Sequence, residues 1–179
     1  TVADDANYYV YTISMSDMTS STRYGVASTF NTSKLKDFTD TMERLDPGKP
    51  VFIASHQPLH AKRNDNQHAY EWFEVINAAA ADHDIIFFWG HNHNYDESQF
   101  YYYGVGDDMT VQNGSSTKSV EDINFSYIGA GYLDPTTANG QTRTGTILVT
   151  EILTNSIEVT TYNSQGVYGG SNALNVSIE

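Results

Sequence analysis

The sequence predicts a mixed α/β fold, because two short apolar segments flank an amphipathic helix and a β-rich region follows. The apolar segments are VFIA at 51–54 and IIFFW at 85–89. Uninterrupted apolar runs of this length are typical of strands buried on both faces. A strand, a helix and a second strand in this order form a βαβ unit with parallel strands. The 179 residues suffice for one domain with a substantial core.

The elements around these strands follow from residue spacing and capping. Residues 7–15 are aromatic and β-branched, which predicts a strand, whereas the turn-rich residues 16–28 predict a loop. A helix is predicted over 31–45 and ends at DPGKP (46–50). Its apolar residues recur at helical spacing: Leu35, Phe38, Met42 and Leu45. A second helix is predicted over 67–81, with one apolar face: Tyr70, Phe73, Ile76 and Ala80.

The second half of the chain predicts antiparallel β-structure. Its strand-like segments are 98–105, 125–133, 144–153 and 156–163. The dipeptide TN between the last two is short enough for a hairpin. The polar stretch 106–123 predicts a surface loop or excursion, and the tail is weakly patterned. We therefore divide the chain into a βαβ part at 1–97 and a mainly antiparallel part at 98–179.

The composition excludes several classes of protein. Acidic residues number 22 against 9 basic ones, for a formal net charge of −13, which argues against binding nucleic acid or anionic lipid. No apolar run approaches the roughly 20 residues of a membrane span, so no membrane insertion is expected. The absence of cysteine rules out thiolate metal ligands. Abundant Tyr, Thr, Ser and Asn with little Lys favours a protein outside or on the surface of a bacterium; an acidic cytoplasmic protein is the alternative.

Three histidines follow the two predicted parallel strands. His56 comes directly after the first, and His91 and His93 come just after the second, behind Gly90. Ligands of parallel sheets bind outside the carboxyl ends of the strands, and alternate residues of an extended segment point the same way. If the strands are neighbours, the three imidazoles open into one crevice. Neutral imidazoles converging in this way suit a divalent transition metal.

Less specific interpretations of these histidines remain open. His91 and His93 can be ordinary polar loop residues with His56 as a cap, or the three can form a lone mononuclear zinc site. His68 and His83 lie at the ends of the second predicted helix and are expected to be structural.

The motifs SHQPLH (55–60) and GHNHNYD (90–96) resemble, in order, spacing and context, two motifs of the calcineurin-like metallophosphoesterase superfamily. The similarity extends over roughly residues 7–165 and implies half of a four-layer α/β/β/α sandwich. It also implies two divalent metal ions (Mn, Fe or Zn) that activate water for attack on phosphorus. By this resemblance, His56 and His91 ligate the second metal and His93 the first.

Three further residues are candidates for the same site. His60 follows the first motif histidine by four residues and is a candidate catalytic residue, either through contact with phosphate or through support of a ligand. Arg63, next to Lys62, can guide a phosphate, and Tyr95 can stack on a substrate. Solvated-loop roles for His60 and the basic pair, and a packing role for Tyr95, are the simpler alternatives.

The carboxylate-bearing motifs of the family's first half, Asp-x-His, Gly-Asp-x-x-Asp and Gly-Asn-His, are missing from this sequence. A bridged two-metal site requires a carboxylate. We therefore expect the C-terminal half of a phosphoesterase for phosphomonoesters or phosphodiesters, which is inactive and can be free of metal as this chain alone. The missing half, or self-association, would cover exposed apolar surface. The alternative function is a degenerate, non-catalytic binding or cell-surface module.

Overall fold

The structure is a computed structural model of the chain, and it describes residues 2–13, 18–20, 27–60, 68–90, 102–129, 146–163 and 174–178. These residues form two α-helices, α1 (Leu35–Met42) and α2 (Ala69–Ala79). Their strands are β1 (Val2–Asp4), β2 (Tyr9–Ile13), β3 (Met18–Ser20), β4 (Ala27–Phe30), β5 (Val51–Ser55), β6 (Ile85–Trp89), β7 (Tyr102–Tyr103), β8 (Met109–Asn113), β9 (Ser116–Val120), β10 (Ser126–Gly129), β11 (Thr146–Ile152), β12 (Ser156–Asn163) and β13 (Leu174–Ser177).

The central sheet confirms the predicted mixed α/β class and its βαβ unit. Its strand order is β1-β2-β5-β6-β10-β7. The four inner strands, β2, β5, β6 and β10, are parallel, and β1 and β7 add to the edges in antiparallel orientation. The β5-α2-β6 connection joins adjacent parallel strands, as the two apolar segments predict. This adjacency places the residues after β5 beside those after β6.

Helices α1 and α2 pack on one face of the sheet through a largely aromatic core. The Phe38 ring of α1 lies edge-on to Tyr11 of β2 at 5.1 Å and next to Trp72 of α2 at 5.7 Å. Both helices are shorter than the sequence predicts. In α1, a 3₁₀ turn at Thr32–Lys34, with Asn31 as its cap, takes the place of the first predicted residues. Neither helix in the described ranges has the length and apolar character needed to cross a lipid bilayer.

The second sheet packs on the opposite face of the central sheet. The order of this sheet is β11-β12-β13, and the β11-β12 pair confirms the predicted hairpin. One buried cluster joins central-sheet side chains to second-sheet side chains: Phe52, Ile86 and Ile128 with Ile157, Val159 and Val176. The central sheet is therefore covered on both faces, which explains its continuously apolar strands.

Two predictions for the middle of the chain held only in part. The stretch 106–123 is not a surface loop throughout, because β8 and β9 form a hairpin within it. Gly114, at φ +60, opens the two-residue connection, where glycine is favoured. In the second case, β10 runs parallel to β6 and antiparallel only to β7. Its four residues are all buried, which is typical of an inner parallel strand.

Other differences are additions to predicted irregular regions. Strands β3 and β4 form a small antiparallel pair in a stretch predicted as loop, and β13 extends the second sheet from the weakly patterned tail. Exposed large apolar side chains occur in the described residues at Val105, Val149, Ile152 and Leu153. The last three belong to β11 or to the turn after it.

The core on the helical face depends on the central strand β5, and this gives a first prediction. Ile53 is fully buried there, whereas Ile152 of β11 is 37% exposed. We expect Ile53→Ala to lower the free energy of unfolding by about 2–5 kcal/mol, because it leaves a cavity between the sheet and the helices. The matched Ile152→Ala should cost about 1 kcal/mol or less. Urea denaturation of both variants measures this; equal losses would contradict the packing described.

Candidate functional site

The carboxyl ends of β5 and β6 form the rim at which the sequence places its histidines. Ser55, the last residue of β5, is in register with Trp89, the last residue of β6. The N–H of the next residue, Gly90, lies 3.2 Å from both the Ser55 and the His56 carbonyl oxygens and donates to them. The two chain segments therefore leave the sheet side by side.

His56 is exposed at this rim and lies against Gly90. A Cβ atom built on Gly90 would lie 3.7 Å from His56 Nδ1, so the imidazole borders the residue that precedes His91. The other sequence candidates, His91, His93, Tyr95 and Arg63, lie outside the described residues. Of the predicted metal ligands, the structure thus positions His56, which is exposed at the rim.

The loop after His56 turns back into the protein. Gln57, Leu59 and His60 are all buried, Leu59 completely. The Leu59 carbonyl accepts a hydrogen bond from the Gln112 N–H of β8 at 3.2 Å, and His60 forms an isolated antiparallel bridge with Val111. The β8-β9 hairpin therefore supports the same loop that carries His56.

The hydroxyl group of Tyr127 in β10 holds this loop in place through hydrogen bonds. Its Oη accepts the Leu59 N–H at 2.7 Å and lies 3.3 Å from the His60 N–H and 3.0 Å from His60 Nδ1. With backbone donors directed at the oxygen, the hydroxyl hydrogen is left to donate to Nδ1. The neutral His60 ring then carries its own hydrogen on Nε2. One hydroxyl thus fixes two backbone amides and the tautomer of a histidine.

Burial dominates the electrostatics of Tyr127. It raises the pKa of the hydroxyl well above its usual value, and hydrogen bonds from the His60 and Leu59 N–H groups offset this in part. The phenol consequently stays protonated over the physiological pH range, which the donation to His60 requires.

His60 is enclosed by aromatic rings. Its ring centroid lies 4.6 Å from that of Trp89 and 5.8 Å from that of Tyr127, both in edge-on arrangements, and the residue is 8% exposed. The sequence left two roles open for His60. This placement favours the support of a ligand over direct contact with phosphate, because the ring lies beneath the rim.

His56 is the predicted metal ligand that lies within the described residues. No group of three or more His, Asp or Glu side chains able to hold a metal ion occurs among them. The imidazole of His56 is a donor that suits iron or zinc, and the remaining histidines of the predicted set fall in undescribed ranges. Comparison of the sequence with protein-family models and with curated proteins gives no match.

Sequence reasoning missed the contribution of Tyr127. Residues 125–133, which include Tyr127, were predicted to be an antiparallel strand, and no role at the histidines was assigned to them. Only the parallel pairing of β10 with β6, at Tyr127 with Phe87, brings its hydroxyl under the loop. The signal in the sequence was the apolar character of this segment, which is typical of an inner parallel strand buried on both faces.

Removal of the Tyr127 hydroxyl tests its role as an anchor. Tyr127→Phe keeps the ring but leaves the buried Leu59 N–H without its acceptor, so we expect the free energy of unfolding to fall by about 1–3 kcal/mol. Amide exchange at Leu59 and His60 should accelerate by roughly 5- to 150-fold. The control is Tyr103→Phe, on the neighbouring strand with its ring 6.1 Å from Tyr127. Unchanged exchange at both amides in Tyr127→Phe would contradict the anchor.

The raised pKa of Tyr127 predicts alkaline destabilisation. Above about pH 10 this tyrosine ionises in the unfolded chain while the folded state keeps its proton, so stability falls as pH rises. The slope is about 1.4 kcal/mol per pH unit until the folded-state pKa is reached. Urea denaturation at a series of pH values from about 9 to 11 measures it. Tyr127→Phe, which retains every other tyrosine, should show a shallower slope; identical slopes would refute the assignment.

Proposed function

We propose that this chain provides the histidine rim of a metal-dependent phosphoesterase of the calcineurin-like class. The observation that carries the proposal is the position of His56. It is exposed at the carboxyl end of β5 and lies against Gly90, which directly precedes His91 and His93 in the chain. A shared metal site requires His91 and His93 to lie near His56, and their position in the sequence directly after Gly90 supports the proposal.

The arrangement of layers supports the same proposal. Helices cover one face of a mainly parallel sheet and a second sheet covers the other. Half of an α/β/β/α sandwich is the finer interpretation of this architecture. The rim lies at the carboxyl ends of the parallel strands, where α/β proteins place their ligands.

Each candidate residue has a distinct part in the proposal. His56, His91 and His93 would hold divalent metal, which in this chemistry polarises the phosphoryl group and lowers the pKa of water. His60, held by Tyr127, fixes the loop that orients His56. Arg63 would attract the phosphate of a small phosphorylated substrate. Tyr95 would stack on the group that the phosphate carries.

A complete two-metal site needs carboxylate ligands that this sequence does not pair with its histidines. We propose that they come from a further part of the protein, so that the chain alone turns over little substrate. That part, or a second copy, is the partner that we propose for the sheet. Localisation outside or on the surface of a bacterium remains part of the same proposal.

Substitution of His56 tests the proposed metal role. We expect His56→Ala to weaken Mn²⁺ or Zn²⁺ binding at least about 100-fold, because loss of a supporting partner alone typically costs 10–100-fold. Hydrolysis of an aryl phosphate by a longer protein that includes the missing motifs should be lost in parallel. The control is His68→Ala, which removes a partly exposed histidine that contacts Glu71 at the start of α2.

The same measurements separate the rival functions. Metal-dependent hydrolysis that disappears with His56 supports the phosphoesterase. Stoichiometric zinc on the isolated chain, without hydrolysis in any longer form, indicates the mononuclear site. The absence of both bound metal and turnover in the longer protein contradicts the proposal and favours a non-catalytic module.

A further inference from the structure

A cleft lies between the carboxyl-terminal ends of the two helices. Its volume is about 250 Å³, enough for a small organic molecule. Side chains of α1, of α2 and of the turns after them line it: Thr39, Met42, Glu43, Val75, Ala78, Ala79, Asp82 and His83.

This cleft is separate from the histidine rim. The carbonyl of Asp84, next to His83, accepts the N–H of Val51 at the start of β5, whereas His56 follows the end of that strand. The five residues of β5 span roughly 16 Å at about 3.3 Å each. The cleft therefore lies at the amino ends of the parallel strands, opposite the proposed phosphoesterase site.

His83, one of the residues that line this cleft, has a buried hydrogen-bond acceptor. The residue is 8% exposed, and its Nε2 lies 3.0 Å from the Met42 carbonyl oxygen. Because a carbonyl only accepts, Nε2 carries the hydrogen and Nδ1 carries the lone pair. Among the described residues, Nδ1 has no hydrogen-bond partner. A buried acceptor of this kind is stabilised by a ligand that brings an N–H or O–H donor.

The negative charges around the cleft favour the binding of a cationic ligand. Glu43 and Asp82 are exposed residues of its lining, and none of its described lining residues is Lys or Arg. Helices α1 and α2 both end there, so their last carbonyl groups add partial negative charge. The apolar part of the lining, chiefly Met42 and Val75, would cover a short hydrocarbon chain.

We propose that this cleft binds a primary ammonium ion on a short alkyl chain. The ammonium group would donate to His83 Nδ1 and to the carboxylates of Glu43 and Asp82, while the alkyl chain packs against the helices. Two sources carry this group, a free amine and a lysine side chain of another protein. The site is independent of the metal chemistry proposed for the opposite end of the sheet.

Titration with n-butylammonium chloride tests the proposal, with the ring ¹⁵N resonances of His83 as the readout. We expect a saturable shift at Nδ1, because a lone pair that accepts a hydrogen bond changes its shielding. Glu43→Gln and Asp82→Asn should each weaken binding about two- to fivefold, the scale of an exposed charge pair. Glu74→Gln removes a carboxylate from the exposed side of α2, outside the cleft, and should leave the affinity unchanged.

A cleft-filling variant completes the design. Ala79→Met, checked for folding by its thermal melt, should abolish the shift. Nα-acetyl-lysine methylamide in a parallel titration distinguishes the sources: binding equal to that of butylammonium indicates a lysine side chain, and selective binding of butylammonium indicates a free amine. No saturable shift with either probe, or a shift that Glu43→Gln and Asp82→Asn both leave unchanged, overturns the proposal. Because no metal is added, this result is independent of the phosphoesterase assay.

Discussion

The hydroxyl of Tyr127 is the constraint on which the geometry of the rim depends. It joins three parts of the chain: strand β10, the loop after β5 and, through packing against Trp89, the end of β6. A buried loop must satisfy its backbone polar groups, and here a single side chain from a distant segment accepts the Leu59 N–H. Without that acceptor the buried Leu59 N–H, three residues after His56, would lose its hydrogen bond.

Coverage of the central sheet on both faces makes this arrangement possible. The helices and the β8-β9 hairpin exclude water from the face on which Tyr127 and His60 lie, and the second sheet does the same on the other face. Water exclusion raises the pKa of the tyrosine and strengthens each hydrogen bond in the network. The long antiparallel region thus contributes to the rim through burial, although its strands carry none of the predicted metal ligands.

The parts of the fold that local pattern determines were predictable. Strand β6 has the bounds that IIFFW predicts, and α2 lies within its predicted span, because burial on a sheet imposes the apolar spacing directly. The parallel pairing of β10 with β6 was not predicted, since it depends on residues about 40 positions away. The β8-β9 hairpin was missed because its outward residues are polar and only Met109, Val111 and Gln112 of β8 are buried, too few to outweigh the polar composition of the stretch.

The residues of the candidate site show the same difference between local pattern and contacts with distant segments. His56 at the rim follows from chain order and from the parallel pairing of β5 with β6, both of which are local properties of a βαβ unit. The hydrogen bond between Tyr127 and His60 does not follow from these local properties, because it arises from the packing of a later segment. His83 illustrates the opposite case: the sequence indicates a structural histidine at a helix end, and the hydrogen bond to Met42 agrees with that. The same bond also fixes the tautomer and leaves Nδ1 as an acceptor. One ring nitrogen of His83 therefore has a structural role, and the other is the acceptor on which the proposed ligand site depends.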